Sequence, residues 1–112
     1  LQEENMAVPL PDDVINALRE KSKKLTSAAA ALRAAGDYAD ATLADQEALN
    51  CENRANAIAA GIASIRNFPS AAQLQQLAND CADLQRAIDT AAGANALAAA
   101  ALKVMGDDPT DD

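Results

Sequence analysis

The chain has 112 residues, with 17 acidic and 9 basic side chains, a net charge of −8 and no histidine. Its apolar half is mostly alanine (30 positions), ahead of 12 Leu, 5 Ile and 3 Val, so the length supports one small domain with a thin core. This balance argues against a general nucleic-acid binder and a membrane-spanning helix, and it excludes chemistry built on histidine as base or metal ligand.

Residues 1–11 read as an extended N-terminal segment, with neither the basic start nor the apolar stretch of a signal peptide. Helix periodicity then predicts an all-α fold: an elongated antiparallel three-helix bundle with coiled-coil-like, alanine-rich seams over 12–106. The first helix is expected at about 13–35. Asp12 and Asp13 complement its start, and Val14, Leu18, Leu25 and Leu32 form a heptad-spaced stripe with Ala28 and Ala35. Gly36 supplies the left-handed residue that ends it, and Asp37 follows as an N-cap.

The second helix is expected at about 38–67. Ala41, Ala44, Ala48, Cys51, Ala55, Ile58, Ile62 and Ile65 alternate in steps of three and four, the seam of coiled-coil-like packing. Its frame does not continue that of the first helix, so a turn at Gly36-Asp37 is required. Phe68-Pro69 ends it, because proline disfavours helical geometry in the residue before it.

Ser70 and Gln73 have capping-box spacing and open the third helix, expected at about 71–105. Its seam runs Leu74, Leu77, Cys81, Leu84, Ile88, Ala91, Asn95, Ala98, Leu102 and Met105, and Gly106 closes it. Residues 107–112 read as an acidic disordered tail.

Gly36-Asp37-Tyr38, with Ala41, Ala48 and Leu49, resembles the inter-helix turn of a tetratricopeptide repeat. The likeness covers about fifteen residues and has no second copy at the repeat's period of about 34. It implies a helical hairpin and carries no function.

Charge is unevenly spread. Residues 14–36 hold five basic and one acidic side chain, whereas 37–67 carry a net −3 and 70–106 a net −1. Arg19, Lys21, Lys23 and Lys24 form the basic patch. No aromatic residue interleaves with them, and pairing with the acidic second helix is the simpler use of their charge.

Cys51 and Cys81 fall on the inward seams of the second and third helices, as a candidate disulfide or as two buried thiols. If Ile65 faces Leu74, the pair is out of layer by about seven residues, roughly 10 Å, against the Cα separation of about 4.4–6.8 Å that a bridge tolerates. A bond would place the chain outside the cell or at its surface; free thiols would favour the cytoplasm. Asp80 with Asp83, and Asp37 with Asp40, share helix faces and read as surface charges.

Thr90 to Leu102 is thirteen residues without a charge, too short to span a bilayer. A helix with one wet side normally carries charges there, so this end is expected to meet a neighbour. The candidate interface is Ala91, Ala94, Asn95, Ala98, Ala101, Leu102 and Met105, with Asn95 as a buried amide that sets register. No phosphate-binding loop, metal motif or nucleophile–base set is present. The expected function is a non-enzymatic structural or interaction module, needing no cofactor, that docks itself or another helical protein. A carrier of a small apolar ligand such as a lipid is the competing reading.

Overall fold

The computed structural model describes residues 10–109, and four helices lie among them. The first, α1, spans Pro11–Ala34. Proline suits its first turn because no intrahelical partner is lost there, and Asp13 accepts from the Leu10 N–H at 2.8 Å. The second, α2, spans Tyr38–Ala59, and its N-cap Asp37 accepts from the Asp40 N–H at 3.1 Å. The third, α3, spans Ala71–Asp89 and is opened by the reciprocal bonds of Ser70 and Gln73. The fourth, α4, spans Ala94–Gly106.

The all-helical expectation matches these elements; the three-helix count does not. The predicted third helix is two, broken at Thr90–Gly93. Three helices end in the same motif, in which two N–H groups beyond the last turn bond back to its open carbonyls. In α1 these are Asp37 to Leu32 (2.8 Å) and Gly36 to Arg33 (3.0 Å). In α2 they are Ile62 to Ala57 (2.9 Å) and Gly61 to Ile58 (3.1 Å), and in α3 Ala92 to Ala87 (3.0 Å) and Ala91 to Ile88 (3.1 Å). The pivot residue needs a left-handed backbone. Gly36 and Gly61 adopt it at φ 89° and 77°, whereas in α3 the pivot is Ala91 at φ 53°.

α2 therefore stops at Ala59, not near residue 67, because Gly61 ends it before Phe68-Pro69 is reached. Ile62, expected on its seam, is 82% exposed. Residues 1–9 and 110–112, which include most of the expected N-terminal extension and half of the expected acidic tail, lie outside the described residues.

α1 is the centre of the packing and contacts each of the other helices. Ser22 Oγ donates to the Ala48 carbonyl at 2.8 Å, and Arg19 donates to Asn56 Oδ1 at 3.2 Å, so α2 descends antiparallel to α1. Small residues line that seam: Ala41, Ala44, Ala48 and Ala55 are buried against α1, which lets the backbones come close enough for the Ser22 bond. α3 rises parallel to α1, with Lys24 donating to Gln85 at 2.8 Å, and α4 descends antiparallel to both, ending at Lys21. α4 packs against α1 and α3 and touches α2, while α2 and α3 share no comparable contact.

Two apolar clusters result. One holds Leu25, Ala28, Ala29 and Leu32 of α1 with Leu77, Cys81 and Leu84 of α3 and Leu97, Ala101 and Val104 of α4. The other holds Val14, Ile15 and Leu18 with Cys51 and Ala55, flanked by Ile58 and Ile65. The described residues extend over 47 × 32 × 18 Å.

Candidate functional site

Along α1, a polar pair, Lys21 and Ser22, sits between the stretches that feed the two clusters. Lys21 is 1% exposed. Its ammonium donates to the carbonyls of Met105 (3.2 Å) and Asp107 (2.5 Å) and lies 3.1 Å from Glu47 Oε2. These carbonyls belong to the open end of α4, where the helix dipole is negative, so Lys21 both caps α4 and ties it to α1 and α2. A buried ammonium is tolerated only when its three donors are used, and here each has an acceptor.

The basic patch is thereby divided. Lys21 is inside, Arg19 reaches Asn56 across the α1–α2 face, Lys24 is held by Glu20 (3.6 Å) and Gln85, and Lys23 is exposed. No continuous basic surface arises from the four.

The cysteines are free, the buried-thiol alternative of the two that the sequence left open. Both are buried, but Cys51 packs with Val14, Ile15 and Leu18 in one cluster and Cys81 in the other. The seam geometry behind the expectation required α2 and α3 to be neighbours; α1 and α4, in contact with each other, hold them apart. Burial pushes both thiols up to about 11, and the Cys51 thiol donates to Glu47 at 3.7 Å.

The expected interface residues are dispersed by the break before α4. Ala91 lies in the turn, exposed; Ala94, Ala98 and Met105 are half-buried; Ala101 is buried. Leu102 is 49% exposed, and Asn95, expected as a buried amide, is exposed. The buried stripe of α4 is Leu97, Ala101 and Val104, one residue earlier than the extrapolated seam, a rotation of about 100°. The outward side is accordingly Asn95, Ala96, Ala99 and Leu102, with Lys103 at its end. Ala96 and Ala99 were missed because the frame was carried through the turn; Gly93, the N-cap of α4, was the available signal.

Two further features went unread in the sequence. Asp80, expected at the surface, is 4% exposed: Gln76 donates to it at 3.0 Å, and its carboxyl meets that of Asp107. Asp107 and Pro109 pack back onto the bundle, so the first part of the expected tail is packed, with Pro109 buried. Between the parallel helices α1 and α3 runs an open groove of about 310 Å³, lined by Asp13, Asn16, Ala17, Glu20, Leu74, Leu77, Ala78 and Cys81.

Among the described residues, no group of three or more Cys, Asp or Glu side chains is placed to hold a metal ion, and no helix is long and apolar enough to cross a membrane. No protein-family model, curated protein or solved structure matches the chain.

Proposed function

We propose that this chain is a non-enzymatic helical interaction module that associates with a second copy of itself through the outward side of α4. The observation that carries this reading is Leu102, half-exposed on a side whose neighbours Asn95, Ala96 and Ala99 are all uncharged. Ordinary solvated helices carry charge on that side at each turn, as α1 and α3 do with Arg19, Lys23, Asp83 and Arg86. Alanine there also allows a second helix to approach closely, with Leu102 as the one large anchor. Light scattering on the wild type and on Leu102→Lys tests it: an oligomer that the substitution dissociates supports the reading, and a wild-type monomer at every concentration overturns it.

The groove between α1 and α3 favours a second reading, a carrier of a small apolar molecule. Its volume, about 310 Å³, is at the low end for ligand sites, and Ala17, Leu74, Leu77 and Ala78 give it an apolar lining. A rise in melting temperature on adding a medium-chain fatty acid, abolished by Ala78→Trp, would favour it over self-association.

A further inference from the structure

Asp80 of α3 is a buried carboxyl, with Gln76 Nε2 on its Oδ1. Asp107, the first residue after α4, places its own carboxyl within hydrogen-bond reach of Asp80, and its Oδ2 is buried without a hydrogen-bond partner. Two facing carboxylates repel, and the orphaned oxygen leaves a desolvation cost unanswered. A single proton on either group removes both penalties, because a carboxylic acid donates to the carboxylate beside it.

The surrounding charges are few. Lys21 of α1 approaches from one side, but its ammonium is directed to the backbone carbonyls and to Glu47 of α2. Lys103 of α4 contributes weakly, and Asp108 and Arg54 lie in the adjoining groove beside Lys21 and Glu47. Burial first, and then Asp80, outweigh the two lysines and raise the Asp107 carboxyl to about 6 from its ordinary 3.8.

We infer that Asp80 and Asp107 form a proton-operated latch: one shared proton fastens residues 107–109 and the end of α4 to α3, and its loss loosens them. This inference is independent of the α4 interface. The direction follows from linkage. A carboxyl whose folded-state value is raised contributes stability that is complete below the unfolded value and is lost as pH rises through about 6. Mild acidification from neutral pH therefore tightens this end of the molecule, opposite to the usual effect of protonating a paired carboxylate.

The full chain and Asp107→Asn, an uncharged stand-in for the protonated acid, are unfolded in urea at about pH 5 and pH 7.5. Relative to the variant, the wild type loses stability between these values, its unfolding equilibrium constant rising by up to about tenfold. A difference between the two proteins that does not change with pH overturns the latch. Carbon-detected titration of the aspartate carboxyls in the wild type decides the matter even where the variant does not fold. An Asp107 carboxyl titrating near pH 6, with amide exchange at residues 107 and 108 accelerating above it, supports the latch; an Asp107 carboxyl titrating near pH 4 overturns it.

Discussion

The Lys21 ammonium donates to the Asp107 carbonyl at 2.5 Å from a position that is only 1% exposed. A cation in the middle of an alanine-lined bundle thus joins α1 to the end of α4, and Glu47 at 3.1 Å adds α2 to the same point. Alanine seams bury little area per residue, so a polar junction that fixes three helices at once contributes more here than it would in a leucine-rich core.

Removing that cation exposes its cost. Lys21→Met keeps the apolar stem but leaves Glu47 and two helix-end carbonyls without their donor, and is expected to lose about 3 kcal/mol in urea unfolding. Glu47→Gln retains a polar partner and is expected to lose about 1 kcal/mol. Equal stability of Lys21→Met and wild type would show that α4 does not depend on the lysine.

The break between α3 and α4 makes an opposite prediction. Ala91 holds a left-handed backbone at φ 53°, where its Cβ is unfavourable. Ala91→Gly is expected to stabilise the chain by about 0.5–1 kcal/mol, the relief being partly offset by glycine's greater freedom when unfolded. Gly36→Ala should lose a comparable amount by backbone strain alone, since a Cβ there meets nothing within 4 Å. Thermal melts of the two variants should shift in opposite directions.

Leucines on either side of the break in the predicted third helix should respond differently. Leu84 is 0% exposed in the core, and Leu84→Ala is expected to cost about 2–5 kcal/mol. Leu102→Ala, on the outward side of α4, should change monomer stability by less than about 1 kcal/mol. Comparable losses at both would mean that α4 buries the extrapolated seam after all.

The free cysteines yield a reactivity test. Burial raises both thiols to about 11, so the thiolate fraction near pH 8 is small. Reaction with a thiol-specific disulfide reagent is expected to be slow in the folded chain, to quicken as pH rises toward 11, and to consume two thiols at once on unfolding. Absence of titratable thiol after unfolding under non-reducing conditions would instead mean that the pair is bonded.

The large residues made most of this architecture readable. Leu77, Cys81 and Leu84 are buried as their spacing predicts, with Leu74 half-buried on the α1–α3 groove, and Gly36-Asp37 is the expected turn with the expected cap. The seam failed beyond Ile88 because the residue that turns the chain is an alanine, whose side chain gives no warning of a left-handed backbone. Among alanines every frame looks apolar, so a shift of one residue left no mark on the pattern of Leu97, Ala98, Ala101 and Leu102. Gly61 was overlooked beside the stronger signal of Pro69, eight residues later.

Lys21 was illegible for another reason. It occupies the heptad slot between Val14 and Ala28, where a lysine reads as a solvated gap and not as a buried donor. Its acceptors are helix-end carbonyls, which no side-chain pattern displays. Asp80 is similar, since its partner Asp107 lies beyond a helix whose start and rotation were misplaced.

Size-exclusion chromatography with light scattering, over micromolar to near-millimolar concentrations and with and without reductant, tests the proposed function most directly. The account predicts a reductant-independent mass of two or more 11.5 kDa chains at high concentration, returned to one chain by Leu102→Lys or Ala99→Asp without loss of helical content. A single-chain mass throughout, or an oligomer indifferent to both substitutions, would contradict it.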